Sequence, residues 1–553
     1  MTSSKARKDV PASLRVPDMS GLVFATLELT NEAGRKSATA LGRNYPHLSD
    51  HHRQYLRVER IVQKPTPATT DDDESEYEPE TADLPASEYY EAKWDIFFKA
   101  KAGAKQVVGS GLTIGKGQTK FGDTRGVDLL VIQPGSNSKG VKPTHALVRF
   151  HPVSGSLMLG GIHDEHPVEY VLDNQTKNLG KGQWHALWQT RNRFFIGDLE
   201  CTITFPDLTE RQLGNLRKSR DRKFKSDGLP TPDKRLPVLP TITPPQRVNS
   251  ILVHKHIDSG GFGIFSLGVD ANTGDVCGVK SVCIKRERVQ EEIANEADFS
   301  LRFPNKKGLL QASCVSYGGH TFGPGRHRDL RKVFASCARP DNAYFILPLG
   351  KHDFTKLSRA KYDFPRVVEI LHGVVVGLAT LHHWGILHRD VTAANMLVMS
   401  DNPPVGVLCD YGKAVQQSWE TSNGTAPAYA QAPEIDGTQR YNAKADVWSC
   451  GLAFASVFFP RMCTWPSYNP DGQQSEEWID EVCKRLEKFG SQSALHGMVA
   501  VIVAKMLDRN PRTRPSMLVV MDKWPFQVTS RDQHVSLDVG GRRARIGSCR
   551  SQS

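Results

Sequence analysis

Two blocks of one-signed charge divide the chain and limit where a hydrophobic core can form. Residues 71–91 carry ten acidic side chains and no Lys or Arg. Residues 211–250 carry ten Lys or Arg against three Asp, together with six prolines. Such segments have little apolar surface to bury and are typical of solvated spacers and linkers. The sequence therefore predicts two packed regions, one between the blocks and one after the second.

Length and composition are those of a multidomain globular protein. The chain has 553 residues, of which 39% are hydrophobic and 24% charged, and several domains are expected at roughly 150 residues each. Ten cysteines without a C-x-x-C pair are typical of reduced intracellular thiols and argue against a disulfide scaffold or a zinc ribbon. No secretory signal or membrane span is recognisable, so we expect an intracellular protein, cytoplasmic or nuclear, with no membrane partner. The net charge of +11 sits in blocks, and nucleic acid is not expected as a direct ligand.

Hydrophobic periodicity predicts a different fold for each packed region. Apolar and polar residues alternate at 146–150 and 201–205, which indicates short strands, and the first region is expected to be an all-β sandwich. The second region starts with strand-like runs and becomes helical after about Pro365, which indicates an α+β domain with two lobes. The expected segments are 1–91, mostly disordered with the acidic spacer; 92–210, the sandwich; 211–248, a basic proline-rich linker; 249–526, the two-lobed domain; and 527–553, a basic disordered tail.

The first candidate functional feature of the second region is a glycine-rich turn. Gly260 and Gly263 lie between two strand-like runs, where glycines let backbone N–H groups approach phosphate oxygens. Lys280 follows in the next strand-like run and could neutralise phosphate charge, and Glu296 on a helix-like stretch could hold the lysine by an ion pair. Each residue alone is more often an ordinary turn or surface residue.

The second candidate feature is a loop between apolar runs at residues 387–397. Asp390 and Asn395 offer a carboxylate for a substrate hydroxyl and an amide oxygen for a metal ion. Asp410 supplies a second metal ligand, and Gly412 permits a sharp turn. Mg²⁺ prefers a few oxygen ligands combined with phosphates, which this set provides.

These motifs, taken together, resemble the eukaryotic protein kinase domain over about half of the chain. All of them come in the family order. The matching residues are His388-Arg389-Asp390 with Asn395, Asp410-Tyr411-Gly412, Ala432-Pro433-Glu434, Asp446-Val447-Trp448-Ser449-Cys450-Gly451 and Arg512-Thr513-Arg514-Pro515.

The resemblance implies a bilobal kinase that uses ATP and Mg²⁺ to phosphorylate protein substrates. It assigns Asp390 to the substrate hydroxyl, and the Lys280–Glu296 pair to the α- and β-phosphates. Asn395 and Asp410 become the metal ligands. The nucleotide-binding set becomes Gly260, Gly263, Phe265, Gly278, Lys280, Leu349 and Leu397. The resemblance also implies that Asp446 anchors the catalytic loop and that Arg514 pairs with Glu434.

Three departures from the family pattern leave a second hypothesis open. Asp258 replaces the first glycine of the loop, Phe265 replaces the valine that caps adenine, and Thr392 stands where serine/threonine kinases have lysine. These departures favour a pseudokinase scaffold that binds partners or nucleotide without efficient phosphotransfer, whereas the intact Lys280 and Asp390 favour an active enzyme.

The residues after Gly412 bear on specificity and control. Gly424-Thr425 before Ala432-Pro433-Glu434 resembles the segment of serine/threonine kinases, and we expect that specificity rather than tyrosine. Arg389 beside the catalytic aspartate implies that a phosphate orders this segment, and hence an upstream kinase. The candidate phosphorylation sites are Ser418, Thr421, Ser422 and Thr425.

The first packed region resembles a forkhead-associated domain in its glycine, histidine and strand pattern. The residues that bind phosphothreonine in that family are replaced here by Asp123, Lys142 and Pro143, and only His145 matches. A structural role is therefore expected for His145, and a phosphopeptide-binding adaptor is a third and disfavoured hypothesis. The order of sandwich and kinase resembles the checkpoint-type kinases, which suggests a role in intracellular signalling.

Overall fold

A computed structural model describes residues 23–63, 87–98, 111–117, 127–132, 140–241, 243–260, 263–284, 287–325, 342–357, 362–420, 430–435, 439–460 and 476–525. The chain divides into two compact units. The first contains Met1–Ile284, Cys314–Thr321 and Ala338–Leu349, and the second contains Lys285–Ser313, Phe322–Cys337 and Gly350–Ser553. The acidic block up to residue 86 and the expected tail from 527 lie outside the described residues.

The N-terminal region of the first unit is rich in strands, which form two sheets over one core. The strands are β1 (Val23–Leu29), β2 (Leu56–Gln63), β3 (Ser87–Phe97), β4 (Leu112–Gly115), β5 (Leu129–Leu130), β6 (Ala146–Phe150), β7 (Leu157–Gly161), β8 (Val168–Leu172), β9 (Gln175–Leu179), β10 (Trp184–Ala186), β11 (Arg191–Ile196) and β12 (Leu199–Thr204). One sheet has the order β2-β3-β1-β12-β11-β8-β9 and the other β10-β7-β6-β4-β5. The strands predicted around 146–150 and 201–205 are therefore confirmed as β6 and β12.

The expectation of mostly disordered residues over 1–91 is wrong for residues 23–63 and for residues 87–91, which begin strand β3. Strand β1 lies inside the larger sheet, where Thr26 pairs with Thr204 on one side and Asp95 on the other. Phe24 and Leu27 are completely buried in the shared core. The helices α1 (Glu32–Arg43) and α2 (Asp50–Arg53) follow β1. The neighbouring acidic block suggested a solvated segment, but burial of the apolar side chains of β1 stabilises an ordered strand.

The expectation of an extended linker over 211–248 is wrong for residues 211–226, because Glu210–Ser226 form a helix, α3. Thr209 caps it in a reciprocal capping box with Gln212. Leu216 and Phe224 are completely buried against the sandwich core. Arg220 lies on the same face and is also completely buried, beside Asp221, whereas the other basic residues of the helix are half-buried or exposed. Net charge alone therefore does not predict this helix, whose apolar stripe is narrow.

A third sheet completes the first unit. Its strands are β13 (Gln246–Val248), β14 (Ile251–Gly260), β15 (Gly263–Asp270), β16 (Val276–Cys283), β17 (Cys314–Tyr317), β18 (His320–Phe322) and β19 (Asn342–Pro348), in the order β13-β14-β15-β16-β19-β17-β18. The turn between β15 and β16 contacts the N-terminal sheets. The Ala186 amide donates to the Ala271 carbonyl over 2.7 Å, and Arg247 pairs with Asp173 at 2.6 Å.

The second unit is mostly helical. Its helices are α4 (Glu287–Arg302), α5 (Phe364–His383), α6 (Lys444–Phe458), α7 (Glu476–Gly490), α8 (Ala494–Met506) and α9 (Met517–Lys523), and a small sheet joins β20 (His352–Asp353), β21 (Met396–Asp401) and β22 (Pro404–Leu408). In the described part of the chain, α5 is the one helix long and apolar enough to cross a membrane. Eleven of its residues are buried in this unit's core, as in the central helix of a globular domain.

Candidate active site

The loop of residues 387–395 in the second unit is anchored by one buried carboxylate from helix α6. Asp446 Oδ2 accepts the His388 amide over 2.8 Å, and Oδ1 accepts the Arg389 amide over 2.8 Å. His382 Nε2 lies 3.0 Å from Asp446 Oδ2. Burial alone would raise the pKa of Asp446, but these hydrogen bonds and the histidines outweigh it and hold the pKa below its ordinary value. The loop is thereby held at the positive φ of Arg389, +66°.

Asp390 and Asn395 meet inside this loop. Asn395 Nδ2 donates to the Asp390 carbonyl over 2.9 Å and to its Oδ2 over 3.1 Å. The Asp390 side chain is largely buried, and burial raises its pKa, with nearby Asp410 adding to the effect and His388 opposing it. A carboxylate that holds its proton more tightly than usual is suited to accept one from a hydroxyl. The amide orientation leaves the Asn395 side-chain oxygen as an acceptor for another group.

The Asp410-Tyr411-Gly412 turn is fixed by the tyrosine hydroxyl. Tyr411 is buried, and its hydroxyl lies within hydrogen-bonding distance of the Leu310 carbonyl at 3.0 Å and the Leu408 carbonyl at 3.1 Å. A phenylalanine could make neither contact. Asp410 itself adopts a φ of +65°, which this packing must sustain.

Helix α4 lies against the same turn. A Cβ built on Gly412 would lie 3.6 Å from Glu296 Oε2, so the glutamate is beside the turn. Glu292, one helical turn earlier, is 3.6 Å from Lys413 Nζ. Arg302 at the end of the helix hydrogen-bonds Gln416. All four residues Glu296, Asp390, Asn395 and Asp410 therefore belong to the second unit, and Glu296 lies beside the turn that contains Asp410.

The glycine-rich turn and the strand lysine lie in the first unit. Gly260 pairs with Gly263 at the tip of the β14–β15 hairpin. Gly263 has a φ of +126°, and a Cβ there would lie 2.3 Å from the Ser281 carbonyl, so only glycine fits. Lys280 on β16 is half-buried, with Nζ 5.9 Å from the centre of the Phe345 ring.

Phe265 and Gly278 form a complementary pair on the facing strands β15 and β16. A Cβ on Gly278 would lie 2.4 Å from Phe265 Cζ. The large ring on one strand therefore takes the space that a side chain on the other would need. Leu349 packs beside Leu267 and Val269 in the same unit, and Leu397 lies in the second unit, 3.3 Å from a Cβ built on Gly350.

The buried ion pair between Glu434 and Arg514 is present. Arg514 is completely buried and binds Glu434 through two hydrogen bonds of 2.7 and 3.0 Å. It also donates to the carbonyls of Lys444 and Asp508. The contact that the resemblance implied is confirmed.

The donor set suits a cation that is shared with phosphates. The carboxylate of Asp410 and the amide oxygen of Asn395 are hard ligands that could hold a divalent cation. The described residues include no group of three or more His, Cys, Asp or Glu that could hold a metal ion. Such a two-ligand set fits a metal that a nucleotide brings with it.

Two residues near this loop were not predicted from the sequence. His382 contacts Asp446, and Glu420 lies 3.6 Å from Arg389. Nothing in the local pattern marks His382. Glu420 could have been singled out from the sequence, because it is the one carboxylate between Gly412 and Ala432.

Comparison with known proteins agrees with this geometry. The family model described as "Protein kinase domain" matches residues 320–525. The C-terminal part of the chain contains a protein kinase domain. The match holds the Asp390 loop, the Asp410 turn and the Glu434–Arg514 pair. The glycine-rich turn, Lys280 and Glu296 precede the matched residues of the kinase domain.

Curated relatives of the kinase domain carry kinase names. The chain is 28% identical over 216 residues to "Serine/threonine-protein kinase pakG" of Dictyostelium discoideum, covering 38% of this chain and 16% of that protein. It is 32% identical over 204 residues to "CBL-interacting protein kinase 26" of Oryza sativa subsp. japonica, covering 35% and 38%. It is 27% identical over 211 residues to "Serine/threonine-protein kinase BCK1/SLK1/SSP31" of Saccharomyces cerevisiae, covering 36% and 13%. The alignments thus span well under half of each relative.

Proposed function

We propose that the protein is a protein kinase that transfers the γ-phosphate of ATP to Ser or Thr hydroxyls of protein substrates, with Mg²⁺ as cofactor. The observation that carries the proposal is the Asp446 carboxylate, which binds two successive loop amides and so presents Asp390 beside Asn395. The chemistry needs one carboxylate held in a fixed place at a hydroxyl. Phosphoryl transfer depends mainly on positioning and charge stabilisation, so a rigid loop is the appropriate device.

Each residue has a definite task in this proposal. Asp390 orients the substrate hydroxyl and accepts its proton. Asn395 and Asp410 would hold Mg²⁺, which would supply positive charge against the phosphates. The resemblance assigns the α- and β-phosphates to Lys280, with Glu296 as its partner, and to Gly260 and Gly263. It assigns the adenine to Phe265, Gly278, Leu349 and Leu397.

Specificity for Ser and Thr is part of the proposal. Two of the relatives named above are called serine/threonine-protein kinases. The Gly424-Thr425 pair before Ala432-Pro433-Glu434 favours the same class. A peptide library that presents Ser, Thr and Tyr acceptors in one scaffold tests this, and preferential labelling of the Tyr peptides would contradict it.

The activity is tested with radiolabelled ATP, Mg²⁺ and a generic protein substrate. Lys280→Met and Asp390→Ala should each lower the rate by orders of magnitude, because one loses the phosphate clamp and the other the hydroxyl-positioning carboxylate. Lys351→Met, at an exposed position on the surface, is the matched control and should retain the wild-type rate. More than a tenth of the wild-type rate in either site variant would contradict the assignment.

A pseudokinase scaffold is the second candidate, and one structural observation and one sequence feature favour it. The Phe265 ring lies directly over Gly278 in the strands assigned to adenine, and Thr392 replaces the usual lysine after Asp390. A wild-type rate equal to that of Lys280→Met, together with partner or nucleotide binding, would identify the scaffold.

For the N-terminal sheets we propose a forkhead-associated-like module that stabilises the kinase domain rather than reading phosphopeptides. The Ala186–Ala271 hydrogen bond and the Arg247–Asp173 pair support a stabilising role.

We further propose an intracellular location and a signalling role like that of checkpoint-type kinases. Immunofluorescence of the tagged chain tests the location.

A further inference from the structure

The segment after Gly412 is held against the catalytic loop by an ion pair between two amino acid side chains. Arg389 Nη1 lies 3.6 Å from Glu420 Oε2, and the two side chains are only 11% and 16% exposed. Arg389 Nε also donates to the Tyr441 hydroxyl over 3.2 Å. A shielded pair attracts more strongly than one on an open surface, because less water screens the charges.

The backbone places Glu420 where this pair can form. Its amide donates to the Tyr441 carbonyl over 3.0 Å, and its carbonyl accepts the Tyr441 amide over 2.9 Å. Tyr441 is 4% exposed and belongs to the core of the second unit. Five residues earlier, Val415 makes the same reciprocal pair with Leu387. Residues 415–420 are therefore attached at both ends to buried residues of the unit's core.

The same segment holds helix α4, which carries Glu296. Lys413 pairs with Glu292 inside the helix and Gln416 hydrogen-bonds Arg302 at its last residue, so the helix contacts residues 413–416 at two places. The Tyr411 hydroxyl fixes the turn just before it. The order of residues 411–420 is thus coupled to the position of the helix and the catalytic loop.

We propose that Glu420 is a positioning residue that neutralises Arg389 from within the chain, so that phosphotransfer does not need phosphorylation of the segment. This inference rests on the proposed kinase activity. An arginine beside the catalytic aspartate commonly recruits a phosphate that orders this segment. A carboxylate offers the same guanidinium a negative acceptor. Glu420 is the one carboxylate between Gly412 and Ala432, and it already contacts Arg389. The requirement for an upstream kinase, expected from the sequence, is replaced by a built-in acid.

The first experiment removes phosphate from the full chain. Protein expressed in bacteria is treated with a protein phosphatase, shown by intact mass to carry no phosphate, and assayed for initial rate against untreated protein. A variant with three hydroxyl candidates replaced by alanine, at Ser418, Thr421 and Ser422, is assayed in parallel. Thr425 is kept, because the proposed Ser/Thr specificity rests on the Gly424-Thr425 pair, and the intact mass shows that it carries no phosphate. Both rates should stay within about twofold of the untreated wild type. Rates that fall to the Lys280→Met level on dephosphorylation and return on rephosphorylation would overturn the inference while leaving the kinase activity established.

The second experiment changes the acid itself in dephosphorylated protein. Glu420→Gln keeps the shape and removes the charge, and it should lower kcat about tenfold while the KM for ATP changes little. Glu420→Asp should recover part of the loss, because the carboxylate remains. Glu477→Gln, at an exposed position on α7, is the matched control and should retain the wild-type rate.

Thermal unfolding of the same variants separates positioning from folding. Glu420→Gln should melt within about 2 °C of the wild type, because the glutamine still offers Arg389 an oxygen acceptor and Arg389 keeps its hydrogen bond to the Tyr441 hydroxyl. A full wild-type rate in Glu420→Gln, or a loss of rate matched by a loss of melting temperature, would overturn the inference. A wild type that never exceeds Lys280→Met, phosphorylated or not, would remove the proposed function and this inference with it.

Discussion

Replacing Arg514 with methionine is expected to destabilise the second unit by about 3–5 kcal/mol, the range for breaking a buried ion pair. The side chain is completely buried and makes four hydrogen bonds, two to Glu434 and one each to the carbonyls of Lys444 and Asp508. The variant leaves a carboxylate that is 14% exposed and two carbonyls without this donor. The partial exposure of Glu434 allows some rehydration, so we expect the lower half of the range.

The double variant Arg514→Met with Glu434→Leu tests the cause. If the cost of the single variant comes from an uncompensated buried charge, removing both charges should restore part of the stability. The two backbone carbonyls would still lack a donor, at a cost of about 1–2 kcal/mol in total. The double variant should therefore be more stable than either single variant.

The measurement is calorimetric unfolding of the full chain, with the transition assigned by its response to nucleotide. Arg512→Met, two residues away and exposed, is the matched control and should change stability by less than about 0.5 kcal/mol. A loss below about 1 kcal/mol in Arg514→Met, or a double variant less stable than both single variants, would refute the reasoning.

Three further predictions concern other parts of the molecule. Because the folded state holds the pKa of Asp446 below its ordinary value, the stabilising contribution of this carboxylate is present above about pH 4 and is lost as the pH falls through the folded pKa. Asp446→Asn should therefore be less stable than the wild type at neutral pH and should lose less stability on acidification. Urea unfolding at pH 7 and at pH 3 measures both effects. Gly278→Ala should cost about 1–2 kcal/mol by overpacking against Phe265, and adding Phe265→Val should recover most of it; no recovery would show that the clash lies elsewhere. The full chain should not bind a phosphothreonine peptide pool in fluorescence polarisation. His145 is completely buried, its Nδ1 already accepts a hydrogen bond from the Lys142 amide, and Pro143 offers no donor for a phosphate. Micromolar binding that dephosphorylation of the peptides abolishes would contradict this prediction.

Helices and strands whose pattern depends on a few neighbouring residues could be predicted well from the sequence. Helix α4, the long helix α5 beginning at Phe364, and the strands β6 and β12 follow from periodicity that a few neighbouring residues determine. The loop of residues 387–395 and the turn after it could be recognised because the resemblance rests on particular residues at fixed spacing. The assigned roles of Asp390, Asn395, Asp410, Lys280 and Glu296 stay predictions, because they rest on the resemblance.

Net charge was a poor guide where a few apolar residues decided the outcome. Helix α3 carries many basic residues, yet its Leu216 and Phe224 are buried in the core of the N-terminal sheets. Strand β1 pairs with β12, and Thr26 and its partner Thr204 are separated by most of the N-terminal region. Local composition contains no information about such a partner.

The order of residues along the chain is enough to identify chemical groups available in the kinase domain, namely Asp390, Asn395 and Asp410. The groups that hold them in place can be read only from the three-dimensional fold. Asp446 binds the catalytic loop from helix α6, the Tyr411 hydroxyl binds the Leu310 carbonyl, and Glu420 meets Arg389. These partners are distant in sequence, and a hydrogen bond or ion pair forms only when folding brings its two groups within a few ångströms, a condition that many long-range contacts set together.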